Sequence, residues 1–206
     1  MAQIKKEAVR QAILDSAYDL FKKQGYTNTS VSQIAGLAGV STSNIYVYFP
    51  SKLKILFAVY DPWLRRSLDR LEADLEAIDN PADRLRKIFR AVWCDIPAED
   101  GGFPNCLMQA LSTGSVEQGY ERDLLFESEN MIAKLIAKNL PAALFKSEEI
   151  AYLSHVIFMA HDGFTINLAL RGPSRRIDGV IETMVSLLLG KRPGADIRAA
   201  DVTASG

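Results

Sequence analysis

Apolar side chains in this chain recur every three or four residues, and nowhere does an alternation of apolar and polar residues run beyond a few positions. That period buries one stripe of a helix and offers no face to a sheet, so the pattern predicts an all-α fold. Val9, Ile13, Ala17, Leu20 and Phe21 define a first helix with Gly25 as its stop. Ser30 is placed to cap a short second helix bearing Val31, Ile34, Ala35 and Ala38, which Gly39 ends, and Ser41 to cap a third reaching about Phe49. Ser51 opens a longer helix through Leu53, Leu56, Phe57, Tyr60 and Leu64. Within it Pro62 has no amide hydrogen for the carbonyl of Ala58, so a kink or break is expected there. Asn80 ahead of Pro81 starts a helix to about Asp95, and Pro97, Gly101, Gly102 and Pro104 mark a loop. Further helices are expected over 105–113, 117–139, 147–171 and 175–189, with a low-complexity tail after Gly190.

Several function classes find no support. With 48% apolar and 24% charged residues in 206, the chain can bury a core as one large or two small domains, which excludes global disorder. The longest apolar stretch, Ile150 to Leu170, is interrupted by His155, His161, Asp162 and Asn167, a costly set in lipid, so no membrane span is expected. Cys94 and Cys106 form no CxxC pair and the N-terminus lacks an apolar run, which suits a reducing, cytoplasmic location. No GxSxG, HExxH, P-loop or GxGxxG occurs, so the chain reads as no enzyme and as needing no cofactor. His155 and His161 are six apart and project differently from a helix, which argues against a metal site with Asp162 and the cysteines.

The segment Val31 to Phe49, VSQIAGLAGVSTSNIYVYF, has the hallmarks of a helix-turn-helix that reads DNA. Ala35 is small where two helices cross, Gly39 permits the turn, and Ile34, Ala38, Val40, Ile45 and Tyr48 supply the contacts that set the crossing angle. Charge agrees with this reading. Residues 1–54 hold seven cations against three acids, a net of +4, whereas the whole chain carries −1 and the remainder therefore −5. A basic head on an acidic body suits an anionic partner at the head.

From Gly25 to Tyr60, GYTNTSVSQIAGLAGVSTSNIYVYFPSKLKILFAVY resembles the DNA-binding head of the TetR family of bacterial transcriptional repressors, through its glycine-aromatic pair, IAxxAGVS and IYxYFxSK. The resemblance implies that the third helix enters the major groove of duplex DNA with Ser41, Thr42, Ser43 and Asn44 near base edges or phosphates. It also implies that Tyr46 hydrogen-bonds a phosphate, that Lys52 pairs with another, and that Ser32 and Gln33 are further contact candidates. The third helix contains neither Arg nor Gln. Apart from Asn44 the strong bidentate readers of bases are missing, so hydroxyls, thymine methyls and DNA shape are expected to set preference.

In the body, Ile177, Val180, Ile181, Met184, Val185, Leu187, Leu188 and Leu189 cover an arc of roughly 200°, twice the usual stripe of about 100°. Such a helix is either fully buried in a monomer or shared between its own core and a partner. The resemblance implies the second case, a homodimer in which helices 147–171 and 175–189 pair with their copies. Trp93, Phe103, Met108, Phe126, His155, Met159 and Asp162 are candidate contacts for a small-molecule effector, the bland alternative being plain core. His155, Met159, Asp162 and Ile166 share one face of their helix at spacings of four, three and four.

The expectation is thus a ligand-responsive regulator, a repressor that binds a palindromic operator as a homodimer and is released by an effector. Residues 1–50 form its DNA-binding domain, 51–190 its effector-binding and dimerisation domain, and 191–206 a flexible tail. Tyr60, Trp63 and the Pro62 kink are the expected hinge. The alternative is a small-molecule-binding or enzymatic helical protein without operator binding.

Overall fold

The computed structural model describes residues 2–113, 122–140 and 145–190, the side chains of 2–5 and 122–125 excepted. Every regular element among them is helical: α1 (Ala2–Gln24), α2 (Val31–Leu37), α3 (Thr42–Tyr48), α4 (Lys52–Glu76), α5 (Pro81–Arg90), α6 (Ile96–Ala98), α7 (Asn105–Thr113), α8 (Arg122–Ala137), α9 (Ser147–Arg171) and α10 (Ile177–Leu188). A π turn, Ala91–Asp95, separates α5 from α6, and a 3-10 turn, Glu99–Gly101, follows α6. The beginning of the expected helix 117–139 and the tail 191–206 lie outside the described residues. No described helix is long and apolar enough to cross a membrane.

The chain divides into two compact units, Met1–Ser67 with Pro97–Phe126, and Leu68–Ile96 with Glu127–Gly206. The seam therefore runs through α4 and not at residue 50. The reason is aromatic packing: Tyr60 and Trp63 of α4 stack on Phe103 with ring centroids 5.8 and 5.3 Å away, and Tyr18 of α1 meets the same ring at 5.2 Å.

In the first unit, local chemistry sets the short helices. Ser30 Oγ accepts from the amide of Gln33 at 3.2 Å while Gln33 Oε1 accepts from the amide of Ser30 at 2.8 Å, a reciprocal cap. Ser41 Oγ accepts from the amide of Asn44 at 3.2 Å and starts α3. Neither helix, at seven residues, is stable alone, so Ile34, Ala35 and Ile45 are buried against the rest of the unit with Ile13, Ala17 and Phe21 of α1. Gly25 ends α1 at φ +79°, and a Cβ there would stand 2.9 Å from Gln109 Oε1, which itself accepts from the amide of Thr27.

Of the kink or break expected at Pro62, the break does not occur: α4 runs from Lys52 to Glu76 as one helix with the proline exposed. One lost hydrogen bond is outweighed by burial of Tyr60, Trp63 and Leu64 around it. The loop expected from Pro97 to Pro104 is also mostly helical, and only Asp100, Gly101 and Gly102 take positive φ, at 53°, 69° and 85°.

In the second unit, Asn80 Oδ1 accepts from the amide of Ala82 at 2.8 Å and starts α5. The π turn after it is held to α9 by two hydrogen bonds: Trp93 Nε1 donates to the carbonyl of Ile157 at 3.0 Å, and His161 Nδ1 to that of Val92 at 2.7 Å. Burial holds the imidazole below its ordinary pKa, so it is neutral and serves as a donor to that carbonyl. α10 packs on α5 through buried Ile177, Ile181, Val185 and Leu188, with Arg86 bridging to Glu182 and Arg90 to Asp178 at the rim. Val180 and Leu187 face outward. The broad apolar arc is therefore divided into a buried stripe and a bare flank beside it.

Candidate functional site

The exposed edge of α3 is built by its buried one. Ile45 is inaccessible and Phe49 nearly so; these residues, four apart, face the core and turn Thr42, Ser43, Tyr46 and Val47 outward. Ser41, Thr42 and Ser43 are exposed and Asn44 is half-buried. Their hydroxyls and amide form a polar tip at the start of the helix, where Ser41 Oγ also lies 2.9 Å from Ser43 Oγ. Tyr46 is 54% exposed. Val47, 77% exposed, escaped the reading of the sequence. Its signal was there, since an apolar residue two positions past buried Ile45 cannot share that face.

Two predicted contact residues have intramolecular work in this structure. The Gln33 amide closes the cap of α2 and lies 3.3 Å from Gln24 Nε2, whereas its neighbour Ser32 is exposed. The Lys52 ammonium donates to the carbonyls of Tyr26 at 2.9 Å and Thr29 at 2.7 Å and lies 4.0 Å from the centre of the Tyr26 ring. Burial pushes its pKa below the ordinary lysine value. Two of its three N–H donors thus hold the α1–α2 connection, and one is left for an outside acceptor.

The same unit holds a polar cluster that the sequence did not announce. The Asp100 carboxylate accepts from the Tyr18 hydroxyl, from Lys22 Nζ at 3.0 Å and from Trp63 Nε1 at 2.7 Å. Burial alone would raise its pKa, but the bonds from Tyr18, Trp63 and Lys22, with the Lys22 charge, outweigh it and hold the carboxyl below the ordinary range. A non-glycine residue at φ 53° is strained, and the three donors hold it there. The cluster ties α1 and α4 to the turn after α6.

The seven predicted effector contacts are divided between the two units. Phe103, Met108 and Phe126 belong to the first unit: Phe103 is buried in the Tyr18–Tyr60–Trp63 stack, Met108 is half-buried and Phe126 is 66% exposed. Trp93, His155, Met159 and Asp162 belong to the second. The face expected from His155, Met159, Asp162 and Ile166 is not the inward one. Ser154, Ile157, Phe158, His161 and Thr165 point inward, leaving Met159 and Ile166 over 40% exposed and His155 on the surface, 2.7 Å from Glu129. The rotation of α9 has a physical cause: Trp93 and the Val92 carbonyl offer hydrogen bonds to this side of the helix. Trp93 is buried between Phe89, at 4.7 Å, and Phe164, at 5.5 Å. Asp162 is half-buried with no hydrogen-bond donor among the described residues, and burial pushes its carboxyl up to about 6.

Residues 13–59 match the family described as bacterial regulatory proteins, tetR family. The HTH-type transcriptional regulator HbdR of Aromatoleum sp. (strain CIB) is 32% identical over 136 residues, 66% of this chain. The match spans 58% of that relative, so the chain accounts for less than two-thirds of its length. Among solved structures, RolR in complex with resorcinol superposes with a TM-score of 0.68 at 18% identity over 94% of this chain and 92% of that one. The transcriptional regulator FadR of Bacillus subtilis in complex with stearoyl-CoA does so at 0.63, with 19% identity over 89% and 99%. At these identities the likeness is one of fold.

Proposed function

The chain carries the helix-turn-helix head of the TetR family of transcriptional regulators, and from that premise we propose that it is a cytoplasmic repressor that binds a palindromic operator as a homodimer and leaves it when a small molecule binds. One observation carries the reading: α3 is pinned through Ile45 so that Thr42, Ser43, Tyr46 and Val47 form a continuous exposed edge. An edge of hydroxyls, a phenol and two methyls suits the major groove, with Tyr46 on a phosphate and Val47 against a thymine methyl. Lys52 acts mainly by holding the α1–α2 connection, its remaining N–H reaching a phosphate.

One head of modest charge binds weakly, so two are needed, on half-sites about one helical turn, roughly 34–36 Å, or a multiple apart. The surface to pair them is the bare stripe of Tyr152, Val156, Met159, Ile166 and Leu170 on α9 with Val180 and Leu187 on α10. Met159 then belongs to that interface, and Trp93 and Asp162 remain as effector contacts in the second unit. The solved neighbours were captured with resorcinol and stearoyl-CoA, and an effector with an apolar body and a donor for Asp162 fits the same logic here. Its mechanism requires tighter binding to a head spacing that misfits the operator, since equal affinity for both states shifts nothing.

Fluorescence anisotropy with promoter DNA from beside its own coding region, titrated with salt, checks this. The logarithm of affinity should fall with the logarithm of salt by about 0.9 per phosphate contacted. Thr42→Ala and Val47→Ala should change preference among bases, whereas Tyr46→Phe should weaken all sequences alike. A protein that sediments as a monomer and ignores every promoter fragment at low salt would refute the proposal.

A further inference from the structure

Between α1 and the first half of α4, wholly inside the first unit, lies an open cleft of about 370 Å³, within the size range of small-molecule sites. Leu14, Val59 and Pro62 give it an apolar lining, and Arg10 and Arg66 line it from opposite helices. Two further features distinguish it from a gap between helices. Pro62 has no amide hydrogen for the carbonyl of Ala58, four residues earlier, and both residues line the cleft. The usual helical donor to that carbonyl is therefore missing beside the cleft. The two guanidiniums are also lightly committed. Arg10 lies 3.7 Å from exposed Glu7 and 5.4 Å over the Phe49 ring, and Arg66 forms no ion pair among the described residues.

We propose that this cleft binds a small hydroxylated aromatic carboxylate, with the carboxylate on Arg10 and Arg66, the ring on Leu14, Val59 and Pro62, and the hydroxyl donating to the Ala58 carbonyl. Asp15 also lines the cleft, its carboxylate accepting from Gln11 at 2.8 Å. It limits the ligand to one negative charge, because a dianion would meet it across a short distance. Such a ligand bridges α1 and α4 of the unit that bears α3, at a place separate from the Trp93 and Asp162 surroundings. The proposal stands apart from operator binding and does not need it.

The chain's two tryptophans make the experiment direct. Trp63 follows Pro62 in α4, and Trp93 belongs to the other unit, so Trp93→Phe leaves a single reporter beside the cleft. The full chain is titrated with 4-hydroxybenzoate by calorimetry and by Trp63 emission, with 4-hydroxybenzyl alcohol as the uncharged control. The acid should bind and move Trp63 emission, and the alcohol should bind at least about tenfold more weakly. Arg66→Gln, at an exposed position that leaves the fold intact, should weaken the acid at least about tenfold, and Arg10→Gln similarly. Asp15→Asn should tighten it, which a merely structural effect does not produce. The proposal fails if the acid does not bind at millimolar concentration or if Arg66→Gln binds it as well as the native chain. It fails equally if Trp93 in a Trp63→Phe chain reports the binding and the cleft substitutions leave it unchanged.

Discussion

Asp100 and Asp162 are both partly withdrawn from water, one in each unit, and their carboxyls move in opposite directions. Burial pushes each upward. Around Asp100 three donors from two helices reverse it, whereas Asp162 has none and rises to about 6. Partial burial by itself therefore says little about a carboxylate; the donors that meet it decide whether it anchors structure or waits for a partner. Asp100 is an anchor. Asp162 is a cost to the folded chain that a ligand donor would relieve.

The largest effect expected is from Asp100→Ala, which strands the Tyr18, Lys22 and Trp63 donors and leaves alanine at φ 53°. Urea unfolding should show a loss of about 3–4 kcal/mol, with Asp100→Asn losing about half as much. The lowered carboxyl stabilises the fold above the ordinary carboxylate range, and that contribution fades as pH falls through its depressed value. A native-like chain with alanine there would remove the contrast with Asp162.

The second expectation has the opposite sign. Because folding raises the Asp162 carboxyl from 3.8 to about 6, ionisation penalises the native state at neutral pH, and the penalty disappears as pH falls through that interval. Asp162→Asn should therefore raise stability at pH 7.5 by about 1–2 kcal/mol, discounted for the part of the group that water reaches, and by nothing near pH 4. Thermal melting across that range would show it, and a destabilised Asn variant would reveal a hidden donor.

Smaller effects sharpen the contrast between local and distant bonding. Ser30→Ala and Ser41→Ala each remove a cap and should cost about 1 kcal/mol in urea unfolding. Only Ser41→Ala should also weaken promoter binding severalfold. Smallest of all, Arg86→Ala breaks the exposed pair with Glu182, and its effect should stay within about 0.5 kcal/mol and shrink with salt.

The same contrast decides how much could be read in advance. The caps at Ser30, Ser41 and Asn80 were legible because donor and acceptor lie two or three residues apart. The helix-turn-helix was legible for a related reason, since its small residues and its apolar spacing fall within one short window. The Asp100 cluster was not, because its donors are 37 to 82 residues away. Nor was Lys52, whose carbonyl partners stand 23 and 26 residues back. The inward face of α9 misled for another reason: Val156, Ile157, Phe158, Met159 and Ala160 are apolar in succession, so periodicity could not choose among rotations, and His161 went in because a carbonyl of the π turn was there to receive it.

The amino-acid order alone therefore determined that the chain is helical, where the short helices begin, and that α3 presents hydroxyls at its start. A helix satisfies its backbone within four residues, so these properties are complete inside a local window. Tertiary structure decided which side of α9 faces the core, which stripe of α10 stays bare, and which aspartate found donors. Those outcomes depend on groups brought together from distant parts of the chain, and no window of neighbours contains both partners.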